Sequence, residues 1–411
     1  MSVTNNKVKV SPDKLFSLLF DEGVYTEILP LADSSESMAV CGKVSGQNVY
    51  AFVQCDEGAD GAMSTLQANK LMKLYALALK TGYPVVGFYT NSSAKVAEGN
   101  LLLDALGELL ASSKRLSGVV PRISVVLGDC VASTAMMASS ADFIIMTEDA
   151  RLTLSADCDC SGKGKAAVVT EDAGAAVEKA AELLTYLPAN NLSVAPLADF
   201  ADGELFDADS ELKLYDNADN TVSVSLARLS GKAVGCVKVK GDEIDSKGAK
   251  KLSSFVRFCD AFSLPVITFV DAKSFCCLGS ANAVLGAYAE ATTVKISVIN
   301  GTAVGSVYMA LAGKAGRNDA VIGMQGAVVS PIKPEAAAYL ALGDELTGTV
   351  AEQDAKIAEY IATELSAENA AKQGFVDDIA DNETLRTKLI NYLDILGSKR
   401  EASLPKKHST I

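Results

Sequence analysis

Two short stretches hold the residues best suited to chemistry: Val131-Ala132-Ser133 and Val304-Gly305-Ser306. Each follows an apolar, strand-like run and opens a stretch of helical character. The start of a helix presents backbone N–H groups that have no acceptor inside the helix, at the positive end of its dipole. Small side chains let a substrate oxygen approach those amides, which is the geometry of an oxyanion hole. Taken alone, small residues at a helix start more often serve close packing. That both halves of the chain place the device after the same kind of strand counts against the simpler reading.

Most other chemistry finds no residues here. The 411 residues include one histidine, His408, three positions from the end, and no tryptophan. This argues against a Ser-His-Asp triad, a histidine-ligated zinc and a buried histidine base. No metal site is expected, because the acidic residues show no metal-loop spacing. The nine cysteines form no CxxC pair, so a zinc ribbon is not expected. Most of them sit in apolar runs and read as small core residues. Cys158, Cys160, Cys276 and Cys277 are candidates for reactivity, but buried spectators are the simpler expectation. Neither a GxGxxG nor a Walker loop occurs. The net charge of −14 and a pI near 4.7 argue against broad binding to nucleic acid or anionic membrane. An odd cysteine count and a polar N-terminus suggest a reducing, cytoplasmic location. No uncharged apolar run reaches the roughly 18 residues of a membrane span.

The elements that must position the two stretches repeat along the chain. Residues 48–54, NVYAFVQ, and 233–239, AVGCVKV, are apolar strands. Each leads through a polar loop to a helix, at about 64–81 and 246–263, where leucines and other apolar residues recur at near-helical spacing. Each helix ends before a proline-led strand, 83–88 and 264–269. Strands at 122–127 and 295–299 then run into the two candidate turns. Helices follow to about Ser140 and about Lys314, with strands at 142–146 and 319–324. Strand, helix and strand alternate through both halves, an α/β pattern of βαβ units with right-handed crossovers. The stretch 155–225 reads as a connector with one helix at about 173–186, which divides the chain into residues 1–200 and 201–411. Further helices are expected at about 354–365, 367–373 and 383–396. The tail 399–411 carries Lys399, Arg400, Lys406, Lys407 and His408 and reads as a solvated basic end.

With those residues placed, the chain resembles the carboxyltransferase component of biotin-dependent acyl-CoA carboxylases and decarboxylases, of the propionyl-CoA carboxylase β-subunit type. The resemblance covers nearly the whole chain. Residues 16–29, FSLLFDEGVYTEIL, look like the family's opening helix. Residues 128–146, GDCVASTAMMASSADFIIM, are similar without a gap to the segment of the first oxyanion hole. Residues 255–271 and 288–308, the latter YAEATTVKISVINGTAVGSVY, resemble the second-half segments. Gly374-Phe-Val-Asp-Asp378 fits as well.

The resemblance implies two tandem crotonase-like domains, an acyl-CoA side in residues 1–200 and a biotin side in 201–411. It implies a homo-oligomer, a hexamer, with the site where one subunit's first domain faces its partner's second. By position the amides of Ala132 and Ser133 would stabilise the thioester enolate, and those of Gly305 and Ser306 would polarise the biotin carbonyl. No metal and no protein base are needed. Asn91-Ser92-Ser93-Ala94-Lys95 stands where the family's CoA-binding loop has Ser-Gly-Gly-Ala-Arg. Val304, Tyr308 and Met309 stand on the biotin side, Met309 where the family chooses acyl size. The chain has no Met-Lys-Met biotin attachment site and no ATP-grasp module, so biotin would arrive on a carrier protein. A biotin carboxylase or membrane decarboxylase subunits are the other implied partners.

The family has Gly-Gly at both holes, whereas this chain has Ala-Ser and Gly-Ser. Segments after Leu154 and Phe275 are shortened. Three functions therefore stand open at this point. One is a carboxyltransferase subunit, one is a catalytically degenerate scaffold or regulatory homologue, and one is another crotonase-type acyl-CoA enzyme without biotin.

Overall fold

The computed structural model describes residues 10–31, 37–54, 62–90, 93–155, 160–216 and 221–401. The chain separates into two compact units, Met1–Pro196 and Leu197–Ile411. In the first, the order is α1 (Pro12–Leu19), β1 (Tyr25–Glu27), β2 (Ser37–Val44), β3 (Gln47–Gln54), β4 (Ala62–Met63), α2 (Thr65–Thr81), β5 (Val85–Tyr89) and β6 (Ser93–Ala94). There follow α3 (Asn100–Lys114), β7 (Arg122–Val126), β8 (Asp129–Val131), α4 (Ala132–Ala138), β9 (Phe143–Thr147), β10 (Arg151–Thr153), β11 (Val168–Thr170) and α5 (Ala173–Tyr186). The main sheet runs β1-β2-β3-β5-β7-β9-β11. Its first three strands are antiparallel and the rest pair in parallel. Every position of β5, β7 and β9 is buried, as expected of parallel strands covered on both faces.

The second unit contains β12 (Leu212–Leu214), β13 (Val222–Leu229), β14 (Lys232–Ile244), α6 (Ser246–Ala261), β15 (Val266–Phe275), α7 (Leu278–Glu290) and β16 (Lys295–Val304). It continues with α8 (Gly305–Val307), β17 (Ala320–Met324), β18 (Val328–Ser330), α9 (Pro334–Leu342), α10 (Val350–Thr363), α11 (Ala367–Lys372), β19 (Asp378–Ala380) and α12 (Leu385–Leu396). The sheet order is β12-β13-β14-β15-β16-β17-β19, with β18 added beside β16.

Local chemistry explains the borders of these elements. Ser64 accepts the amide of Gln67 and caps α2, and Gly82 closes that helix in the left-handed region, where only glycine sits without cost. Asp245 caps α6 in the same way. Thr349 and Glu352 form a reciprocal capping box on α10. Each unit builds its own core. Phe52, Leu71, Leu74, Tyr89, Val126 and Met146 pack in the first. Val234, Ile267, Phe269, Ile296, Ile322 and Leu389 pack in the second.

The repeat seen in the sequence is a repeat of interactions. Asp142 clamps the first residue of β7: its carboxylate accepts the Arg122 amide at 2.8 Å, and its own amide donates to the Arg122 carbonyl at 3.0 Å. Asp319 does the same to Lys295, the first residue of β16, at 2.8 and 2.9 Å. Both clamped residues are buried cations that spend their protons on main-chain carbonyls. Arg122 donates to Ser113 and Ser140. Lys295 donates to Tyr288, Ala291 and Gly316 at 2.6, 2.7 and 3.2 Å.

Several expectations are corrected. Residues 155–225 are not a connector. β11 is the edge strand of the first sheet, and β12 and β13 belong to the second. These strands are three to eight residues long, and their pattern is hidden in an alanine- and aspartate-rich stretch. β14 and β15 run well past the expected ends, to Ile244 and Phe275. No regular helix extends from Ser306 to Lys314. The chain makes one α-turn, then a π-helix at Tyr308–Ala312 and a 3-10 turn at Lys314–Gly316. α3, α7 and α9 were not anticipated.

In unit 1 the strand that carries the candidate turn leaves one sheet for another, and in unit 2 it takes a new neighbour within its own sheet. In unit 1, β7 pairs with β9 as far as Val126. The chain breaks at Leu127-Gly128 and resumes as β8, which pairs with β10. In unit 2 the strand is unbroken: β16 pairs with β17 up to Ile299 and with β18 from Thr302. Glycine permits both arrangements. A Cβ on Gly128 would lie 2.1 Å from the Thr90 carbonyl oxygen, and one on Gly301 would lie 2.2 Å from Asp271 Oδ1. That Asp271 oxygen accepts the Thr302 amide at 2.9 Å beside a bulge between Val270 and Ala272. Gly128→Ala faces rigid backbone and is expected to cost about 2–4 kcal/mol, within the range of severe core substitutions. Gly301→Ala faces a movable carboxylate and is expected to cost less. Denaturant midpoints of the two variants check the order.

Candidate functional site

Ala132 and Ser133 are the first two residues of α4, after Val131 as N-cap, and no side chain caps that end. Gly305 and Ser306 are the first two residues of α8, after Val304, again with no side-chain cap. At these positions an N–H has no acceptor within its own helix. The two turns match in a way the sequence does not show: Ala132 has φ 55° and Gly305 has φ 48°. Both are left-handed, a conformation open to glycine and costly for most other residues. Alanine in the first unit therefore holds a glycine-type backbone against its own preference. Ser306 and Ala132 are exposed, and Ser133 and Gly305 are half-buried. A methionine follows each left-handed residue by four positions, Met136 at 49% and Met309 at 54% exposure.

The strands beneath hold the turns in place. β8 pairs with β10 through Asp129–Arg151, Cys130–Leu152 and Val131–Thr153. The end of β16 pairs with β18 through Thr302–Val328, Ala303–Val329 and Val304–Ser330. Cys130 lies fully buried under the first turn, and burial pushes its thiol far up, so it stays protonated. In the second unit, the Pro331 carbonyl stands 3.0 Å from where a Cβ on Gly305 would be. A small cavity in unit 1 is lined by Tyr75, Tyr89, Arg122, Ser124 and Ser140 and includes neither Ala132 nor Ser133.

The remaining expected residues fall into place unevenly. Ser92 lies outside the described residues, as do Cys158, Lys406, Lys407 and His408. Ser93 and Ala94 form β6, paired in parallel with Ala62 and Met63. The exposed Lys95 donates its amide to the Met63 carbonyl at 3.0 Å. Val304 is buried and is the N-cap of α8. The half-buried Tyr308 donates its hydroxyl to the Phe375 carbonyl at 2.9 Å. Burial and then Asp377 raise its pKa. Gly374-Phe-Val-Asp-Asp378 is thereby explained as scaffold. Asp377 clamps Val321 in β17 by the same two-way bond that Asp142 and Asp319 make. Cys160, Cys276 and Cys277 are exposed, which corrects the expectation of buried spectators. Among the described residues no group of three or more His, Cys, Asp or Glu is placed to hold a metal. None of their helices is long and apolar enough to cross a membrane.

Two α/β units, each ending a strand in a left-handed residue that opens a helix, define a crotonase-type architecture. The sequence matches the model of the carboxyl transferase domain over residues 34–157 and 205–411, and the chain belongs to that family. It is 29% identical to the methylmalonyl-CoA decarboxylase subunit alpha of Veillonella parvula, over 90% of this chain and 84% of that one. It is 28% identical to the propionyl-CoA carboxylase carboxyltransferase subunit of Haloferax mediterranei, over 90% and 84%. Among solved structures it is similar to the transcarboxylase 12S hexamer with methylmalonyl-coenzyme A and methylmalonic acid bound. There the TM-score is 0.88 at 25% identity, over 97% of this chain and 91% of that one.

Backbone strain at the first turn is open to measurement. Ala→Gly inside an ordinary helix costs about 1 kcal/mol. At Ala132, with φ 55°, relief of strain opposes that cost, and the change is expected to be neutral or stabilising by up to about 1 kcal/mol. Gly305→Ala is expected to destabilise by about 1–2 kcal/mol. Thermal midpoints of the two single variants check the opposite signs.

Proposed function

We propose that the protein is the carboxyltransferase subunit of a biotin-dependent acyl-CoA carboxylase or decarboxylase. In this reading it moves a carboxyl group between N1 of biotin and the α-carbon of a small acyl-CoA thioester. The observation that carries it is the matched pair of left-handed turns at Ala132 and Gly305, in a chain of the carboxyl transferase family. Both relatives' names refer to this chemistry.

The step needs two oxygens stabilised, the enolate oxygen of the thioester and the ureido oxygen of biotin. Backbone amides do this without a histidine, a metal or a protein base. The Ala132 and Ser133 amides serve the thioester, and the Gly305 and Ser306 amides serve biotin. Biotin arrives on a carrier protein and supplies the transferable carboxyl group. Ser92, Ser93, Ala94 and Lys95 form the CoA-binding loop, Lys95 meeting a phosphate as a point charge. Val304 hinges the biotin-side turn, and Tyr308 and Met309 bound the space beside it. Met309, apolar and half-exposed, favours an uncharged small acyl group. The subunit works as a homo-oligomer, a hexamer like transcarboxylase 12S, in which the first unit of one subunit faces the second unit of its partner.

The degenerate-homologue reading draws on Ala132, Ser133 and Ser306 standing where the family has glycine. The φ of 55° at Ala132 weighs against it, because the backbone keeps the glycine conformation despite the methyl group. One oxyanion donor is worth roughly 3–4 kcal/mol. Ser133→Pro and Ser306→Pro each remove one N–H and are expected to lower transfer a hundredfold or more. The triple variant Ala132→Gly, Ser133→Gly, Ser306→Gly is expected to keep or raise turnover. Carboxyl transfer between free biotin and a series of acyl-CoAs, with oligomeric state checked by sedimentation, measures all three. Proline variants at wild-type rate refute the oxyanion assignment. A silent wild type restored by the triple variant establishes degeneracy.

A further inference from the structure

The two helix starts at the C-terminal end of β15 bring four sulfur and hydroxyl groups together. β15 ends at Phe275, and Cys276 continues its register by donating its amide to the Ile244 carbonyl at 3.0 Å. Cys277 is the N-cap of the 13-residue α7. Ser246 is the first residue of α6, and Ser280 lies in the first turn of α7. Ser280 Oγ stands 3.3 Å from Cys277 Sγ, 3.4 Å from Cys276 Sγ and 3.2 Å from Ser246 Oγ. Ser246 Oγ is 3.3 Å from Cys276 Sγ and 3.8 Å from Cys277 Sγ. The Ser280 amide donates to Cys277 Sγ at 3.5 Å.

This is the environment of a thiolate. A sulfur at a helix N-cap takes the positive end of the dipole and an orphan N–H. Two hydroxyls lie 3.3 and 3.8 Å from it, and a proton given by either favours its charged form. Hydrogen bonds from the Ser280 hydroxyl, then the Ser280 amide, Ser246 and Cys276, lower the Cys277 thiol to about 7. Asp245 and Lys247 flank Ser246 on α6, and the Asp245 carboxylate is occupied with the Gly248 amide at 2.6 Å. Both cysteines are exposed, and Leu278 beside them is 84% exposed. A Cβ on Gly279 would approach no closer than 3.9 Å to the Cys277 sulfur, so that flank is open. No third thiol, imidazole or carboxylate completes a metal set among the described residues. The cluster offers an incoming sulfur a nucleophile rather than a coordination site.

We propose that Cys277 is a modification site for low-molecular-weight disulfides, activated by Ser280 and Ser246. The Cys277 thiolate attacks one sulfur of RS–SR. The Cys277–S bond to that sulfur forms, the RS–SR bond breaks, and RS⁻ leaves and takes a proton from solvent. The balance is Cys277–SH + RS–SR → Cys277–S–S–R + RSH, with the disulfide as oxidant. A second low-molecular-weight thiol reverses it. The inference stands independently of carboxyl transfer, since it concerns the thiol alone.

The full chain, treated near neutral pH with limiting oxidised glutathione and mapped as peptides, is expected to carry the glutathionyl group first on Cys277. Reaction of each thiol with an aromatic disulfide, followed from about pH 5 to about pH 9, is expected to give Cys277 a midpoint near 7. An ordinary thiol falls near 8.5. Because a lowered pKa also lowers nucleophilicity, the rate advantage over a thiol of ordinary pKa at pH 7 is only about threefold and grows below it. Ser280→Ala is expected to raise the midpoint and Cys276→Ser to leave the fast site present. Cys277→Ser, which keeps a good N-cap, is expected to abolish it. Adduct appearing first on Cys160 or Cys276, or a Cys277 midpoint near 8.5 that Ser280→Ala does not move, overturns the proposal.

Discussion

The structure depends on a main-chain constraint: in each unit a strand must take a new partner where there is no room for a side chain. At Gly128 the Thr90 carbonyl occupies the place of a Cβ, and at Gly301 the Asp271 carboxylate does. Past these points β8 pairs with β10 in a separate sheet, while β16 stays in its own sheet and adds β18 as a neighbour. That pairing carries Ala132 and Gly305 to the ends of their strands, where a left-handed residue turns the chain into a helix whose start no side chain caps. Everything proposed for the site is main-chain geometry produced by this one device, made twice.

Main-chain chemistry would let a site of the proposed kind survive this chain's departures from glycine. What an oxyanion needs is the direction of an N–H, and direction is set by φ and by the strands below, not by the side chain. Ala132 keeps the left-handed φ because β8 and α4 leave it no alternative, and the cost is borne by the fold. A site of this kind also suits the composition: it uses backbone amides, in a chain with one histidine in 411 residues. The clamps by Asp142, Asp319 and Asp377 belong to the same economy. Each ties an aspartate to both polar groups of one strand residue, so the strands that aim the turns start in fixed register.

The second unit shows how far identical topology permits divergence in detail. β16 is continuous where β7 and β8 are separate, because the bulge at Val270–Ala272 and the Asp271 bond to Thr302 bend the ladder without breaking it. The helix after Ser306 opens into a π-helix, where the helix after Ser133 stays regular. Where β15 ends, Cys276 lies beside Ser246 at the start of α6 and Cys277 caps α7. The thiol cluster has no counterpart among the described residues of unit 1.

The sequence by itself determined the strands, the main helices and the repeat. Buried parallel strands must be continuously apolar, and a half-buried helix such as α5 (Ala173–Tyr186) shows its period wherever it sits. The positions of both turns were legible for the same reason: small residues between a strand and a helix are a local signal. Short edge strands were not legible, because three residues of Val168–Thr170 or Leu212–Leu214 carry no period and take their structure from the neighbouring ladder. Nor could the sequence place Cys276 and Cys277, which look like core residues after an apolar strand and are exposed because the strand ends there. Only the tertiary structure decided that Ala132 adopts a left-handed φ. No alanine chooses that conformation locally, and it follows from where β8 must leave the sheet.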